Sequence, residues 1–102
     1  MEPVLLFTVQ DTFQLTDRGC VLAPGPSAEP GAQAVRVGDR IRLRKPDGHS
    51  FDTVIRALEM LGRRPRPEVI TAAILLPKEI TKDDVPKGTE VWLIPRDAPQ
   101  IT

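Results

Sequence analysis

"FDTVIRALEML", residues 51–61, is the stretch whose reading decides the fold class. Its length and its Ala, Leu, Glu and Met content allow a helix. Its β-branched start and the turn signals on both sides favour a long, bent strand. The segments around it read the same way. On the N-terminal side, "VRVGDRIRLRKPDGHS" (residues 35–50) alternates, with Ile41 and Leu43 pointing one way and Arg40, Arg42 and Arg44 the other. Pro46-Asp47-Gly48 then makes a turn: Pro presets φ, Asp caps it and Gly accepts φ > 0.

On the C-terminal side, "GRRPRPE" (62–68) reads as a loop, and "VITAAILL" (69–76) as a strand buried on both faces. "TKDD" (81–84) offers a Thr N-cap followed by acidic residues, enough for one helical turn. "GTEVWLI" (88–94) is the last strand. Towards the start of the chain, "VLLFTV" (4–9) puts Leu5, Phe7 and Val9 on one face, and Thr8 and Gln10 on the other. "TDRG" (16–19) is a turn and "CVLA" (20–23) a strand, ended by "PGP". Residues 24–38 form a Pro/Gly-rich loop inside the domain, because too little chain precedes them to make a core.

The segments add up to six strands with at most one short helical turn. Such a set closes on itself to remove its edges. The expected fold is all-β: residues 1–102 as a single closed six-stranded antiparallel β-barrel. Composition agrees. The chain has 102 residues, enough for one core, and aromatics are only 4%, so that core is aliphatic. Eleven prolines and seven glycines are too many for a helical bundle.

Function classes narrow in the same way. Formal net charge is zero, which argues against wholesale coating of duplex DNA. One cysteine, Cys20, excludes an internal disulfide and a Cys-rich zinc site. The only histidine, His49, follows a turn and has no ligand-spaced companion, so neither a metal nor a Cys–His nucleophile is expected. No run approaches the ~20 apolar residues of a membrane span, and the start has no basic n-region. The expectation is a cytoplasmic protein with no membrane partner. Glu79, Asp83, Asp84 and Glu90 lie near turns and form no acid–base pair. The reading is a non-enzyme without cofactor.

Five pieces, in order, resemble domain 2 of the translational GTPases, the elongation factor Tu family. "LLFTVQDTFQL" is similar to the family's opening strand with its Asp-x-Phe, and "RGCV" to its Arg-Gly-Thr-Val, with Cys20 in the Thr place. "VRVGDRIRL" is similar to its Val-Gly-Asp/Glu strand and "ALEML" to its Val-Glu-Met-Phe. "AILLPKEITKDDVPKGTEV" is similar to its Gly-Val-Leu-Leu, acidic turn and Gly-led last strand. The resemblance runs from about Leu5 to Ile94. It implies a translation-protein β-barrel in which Gly19 frees the turn into strand two. The chain departs from the family at Pro24-Gly25-Pro26 and at "GRRPRP". It has no G-x-x-x-x-G-K-[ST] phosphate loop, so a barrel standing alone without the GTPase domain, and no bound nucleotide, is expected.

The resemblance also implies a shallow pocket for an RNA 3′ end, at Asp11, Leu15, Val21, Glu59 and Leu75. Apolar side chains would sandwich a base there and a carboxylate would accept ribose hydroxyls. Leu15, Val21 and Leu75 are equally what a barrel core uses. Arg56, Arg63, Arg64 and Arg66 are candidate phosphate contacts, or a solvated loop held open by Pro65 and Pro67. The row Arg40, Arg42, Arg44 and Lys45 reads as an outward face whose charge protects a sheet edge. Trp92 reads as a core anchor. Two functions follow: a module binding tRNA, rRNA or a translation factor, or a protein-interaction barrel that keeps the fold without RNA binding.

Overall fold

The computed structural model describes residues 2–27, 33–59 and 72–95, and these are all-β apart from one 3-10 turn. The strands are β1 (Val4–Thr8), β2 (Asp11–Leu15), β3 (Gly19–Ala23), β4 (Arg40–Arg44), β5 (Ser50–Val54), β6 (Ala57–Glu59), β7 (Ala73–Leu75) and β8 (Glu90–Leu93). They form two four-stranded antiparallel sheets, the first in the order β1-β8-β4-β5 and the second β2-β3-β7-β6. One aliphatic core joins them: Ile41, Leu43, Val91 and Leu93 from the first sheet meet Cys20, Leu22, Ile74 and Leu76 from the second.

Residues 51–54 and 57–59 are strand, as the β-branched content implies, with the bend at Ile55–Arg56; residues 60 and 61 of the expected strand lie outside the described residues. Ile55 still pairs with the first sheet, donating to the Asp39 carbonyl (3.0 Å) and accepting from the Gly38 N–H (2.8 Å). Arg56 already belongs to the second, donating to the Leu75 carbonyl (2.9 Å). Val9–Gln10 repeats the device. Val9 bonds to Thr89 and Gly88, then Gln10 donates to the Ala23 carbonyl. Val9 and Ile55 are both buried, so each corner is pinned by its own side chain. Strands that switch sheets at bends are the usual way to build such corners. The corner at Ile55–Arg56 cuts one of the six expected segments in two, and β2 is a strand beyond the six, which gives eight among the described residues. Neither four-stranded sheet closes on itself.

Three local expectations change. In β1 the register shifts between Leu5 and Phe7, a bulge that turns Leu5 outward to 45% exposure while Leu6 and Phe7 pack on the core. Leu5 therefore does not share a face with Phe7 and Val9. The strand expected from residue 35 begins only at Arg40. Before it the Arg36 carbonyl accepts from the Asp39 N–H and the Asp39 carboxylate accepts from the Arg36 N–H, closing a turn. Trp92 alternates with buried Val91 and Leu93 and so lies on the outer face, not in the core.

Turn chemistry follows the sequence. In "TKDD" the Asp84 carboxylate accepts from the Thr81 N–H (3.0 Å) and hydroxyl (3.3 Å) over the 3-10 turn Lys82–Asp84. That turn is tied to β2 by Lys82 N–H donating to Gln14 Oε1 (2.9 Å) and by Thr12 donating to the Val85 carbonyl (3.0 Å). Pro24-Gly25-Pro26 ends β3, and the Pro26 carbonyl accepts from the Ala72 N–H. Cys20 is fully buried, and that burial, with the nearby Asp84 charge, raises its thiol pKa. Among the described residues no helix is long and apolar enough to cross a membrane.

Gly19 has φ +124°, and a Cβ there would strike the Leu76 carbonyl oxygen. Gly38 has a comparable positive φ but open space around it. Gly38→Ala is therefore expected to cost only the backbone strain, about 1–3 kcal/mol. Gly19→Ala adds the backbone collision and is expected to lose clearly more stability. Urea unfolding of the two variants checks the order.

Candidate functional site

Register puts the sequence-derived pocket positions on one surface. In the second sheet Phe13 faces Val21, Val21 faces Leu75 and Leu75 faces Ala57, forming a row across all four strands. Asp11 and Leu15 flank Phe13 at two-residue spacing on β2, and Glu59 stands two residues beyond Ala57 on β6. Because side chains alternate along a strand, Asp11, Leu15, Val21, Glu59 and Leu75 all point away from the shared core. Val21, Ala73 and Leu75 form a second apolar cluster there, with Leu15 and Ala57 packed beside it. Val21 and Leu75 are each only 4% exposed. They are the floor of the face, and Phe13, at 48%, stands proud of it.

Carboxylates border this floor. Glu59 is ion-paired with Arg18 at 3.1 Å. Arg18 comes from the β2–β3 turn and Glu59 from β6, so the pair spans β7. Both side chains are substantially exposed, and such a pair is worth at most about 1 kcal/mol. Asp11 is exposed at the β2 margin, where it shares a shallow depression with Thr12, Lys82 and Lys87. Arg56 is exposed at the corner. Arg63, Arg64 and Arg66 lie outside the described residues.

Sequence reasoning missed Arg18 and Phe13. Phe13 was legible, since it alternates with Asp11 and Leu15. Arg18 was not, because its partner lies 41 residues away.

The outer face of the first sheet has different chemistry. Arg42 binds Asp52 through two hydrogen bonds of 2.8 and 3.1 Å, and Arg40 approaches the same carboxylate at 3.7 Å. The Arg42 hydrogen bonds hold the Asp52 carboxyl below the usual carboxylate range. The arginine row was expected to guard an edge, but β4 lies inside the sheet between β8 and β5. Trp92 is half-buried beside it and donates through Nε1 to Glu90 (3.1 Å).

His49 is exposed and its Nδ1 lies 3.2 Å from Asp47. It and buried Cys20 are not brought together. Among the described residues no cluster of His, Cys, Asp and Glu has metal-site geometry. No protein-family model matches the chain, and comparison with the curated proteins and with the solved structures returns no significant match.

Leu75→Ala should cost about 2–4 kcal/mol, as for a core residue, although it faces outward. Phe13→Ala should cost under about 1 kcal/mol. Chemical unfolding separates them. For Asp52, the folded pKa is depressed. Its contribution is therefore present above the unfolded value of about 3.9 and is lost as pH falls through the folded value. Arg42→Met should move the Asp52 carboxyl midpoint back up, as read by carbon NMR titration.

Proposed function

We propose that this chain is a non-catalytic binding module of the translation-factor domain 2 type, and that the outer face of the second sheet takes the 3′ end of a single-stranded RNA such as a tRNA acceptor. The observation that carries the reading is the register of β2, β3, β7 and β6, which gathers Asp11, Leu15, Val21, Glu59 and Leu75 on one surface. The hydrogen-bond hand-over at Val9–Gln10 and Ile55–Arg56 supports the six-stranded barrel of that type. It links the sheets in a circuit from β1 through β8, β4, β5, β6, β7 and β3 to β2.

On this reading Phe13, the exposed apolar group of the face, is the stacking platform and half-buried Leu15 its flank. Val21 and Leu75 support them from below. Asp11 accepts ribose hydroxyls, and Lys82 and Lys87 beside it meet the phosphate chain. Arg18 holds the Glu59 carboxylate in place at the opposite margin.

A second reading has its own support. Arg18 reaches the face and Glu59 neutralises it, so the surface suits a protein segment docking on Phe13. An amide-resolved NMR titration at low salt separates the two. Shifts at Asp11, Phe13, Leu15 and Glu59 with an RNA ending in CCA, absent with a blunt duplex, are the expected result. Phe13→Ala should weaken binding about tenfold, the size of one lost stacked base. Absence of shifts with either RNA would overturn the RNA reading and leave the protein one.

A further inference from the structure

The outer face of the first sheet forms a surface independent of the one above. We propose that it holds a single-stranded polynucleotide, with a base laid on Trp92 and the phosphate chain following Arg42 and Arg44. Register brings these groups together. Leu5 faces Trp92, Trp92 faces Arg42, and Glu90 faces Arg44 in the next row. Arg42, Arg44, Ser50 and Trp92 line one concavity, together with Glu2 and Pro3. Arg44 also lines the adjoining depression with Lys45 and Pro46, so the track continues past the strand end.

The roles differ by residue. The indole is fixed in advance, because its Nε1 is held by Glu90. A ring already oriented offers a stacking surface at little ordering cost, and stacking tolerates any base. Arg40 and Arg42 share the single carboxylate of Asp52. Arg44 makes no ion pair among the described residues, although Glu90 is its cross-strand neighbour. Of the three outward arginines Arg44 alone makes no ion pair among the described residues, and it is the one available to an anionic chain. Same-face residues on a strand repeat at about 7 Å, a spacing that lets successive arginines meet successive phosphates of an extended strand. Edge protection does not account for the row, since β4 is interior.

The protein carries its own reporter. Trp92 is the only tryptophan and there is no tyrosine, so intrinsic fluorescence reads this face alone. The whole chain is titrated at low salt with an oligouridylate of about ten nucleotides. Saturable quenching that weakens with added salt is expected. Arg44→Ala should bind about tenfold more weakly, one charge-assisted contact, and lower the salt slope by about one. Arg44→Lys should retain much of the lost affinity, and Lys78→Ala, which removes an exposed cation from the turn after β7, should leave the curve unchanged.

An oligothymidylate run in parallel distinguishes a site that reads the 2′-hydroxyl, where uridylate binds tighter, from one that reads backbone and base alone, where the two are equal. Both are forms of the proposal. No quenching, unchanged binding by Arg44→Ala, or equal quenching by an oligoglutamate peptide would overturn it. The last result would assign the face to acidic protein segments.

Discussion

The pairing of Leu22 with Ile74, and of Val21 with Leu75, is the constraint on which the rest of the structure depends. β3 and β7 are the central strands of the second sheet and are buried on both sides. Leu22 and Ile74 enter the shared core, while Val21 and Leu75 form the outer cluster. A slip of one residue would exchange the two sets, because strand side chains repeat every two residues. Gly19 guards against that slip. Its missing Cβ lets the start of β3 lie against the Leu76 carbonyl, and no other residue fits there without moving backbone.

The two corners extend this constraint to the whole chain. At Val9 and Ile55 the side chain stays in the core while hydrogen bonding passes from one sheet to the other. Both backbone groups of Val9 and of Ile55 are hydrogen-bonded, which is what a low-dielectric core demands of buried residues. The corners also separate two outer faces of unlike chemistry. One is an apolar floor bordered by carboxylates and carrying an exposed phenylalanine. The other is an arginine row beside an oriented indole. A chain of zero net charge thus sorts its charges by face, and net charge alone conceals the arrangement.

Much of the fold was legible because most strands obey a simple period. Arg40–Arg44 alternates cleanly between water and core, so its faces could be assigned from sequence. The β-branched start of residues 51–59 gave strand over helix. The position of the bend was not legible, because it is set by partners distant in sequence, Asp39 on one side and Leu75 on the other. Leu5 was assigned to the wrong face because a bulge breaks the period on which the assignment rests. Trp92 was drawn to the core by its size, although its alternation with Val91 and Leu93 points outward. The five pocket positions came from family resemblance, and alternation alone would have added Phe13. The Arg18–Glu59 contact exists only once β6 has been carried round the corner beside β7.

Everything placed on the second sheet rests on the register that turns Asp11, Leu15, Val21, Glu59 and Leu75 outward together. The most direct test is a methyl-resolved NOE map of the free protein. Contacts linking Val21 with Leu75 and Ala57 are expected, with a separate set linking Leu22 and Ile74 with Ile41 and Val91. Val21 or Leu75 methyls in contact with Ile41, Leu43 or Val91 would mean that the strands pair one residue out of step, and would contradict that register.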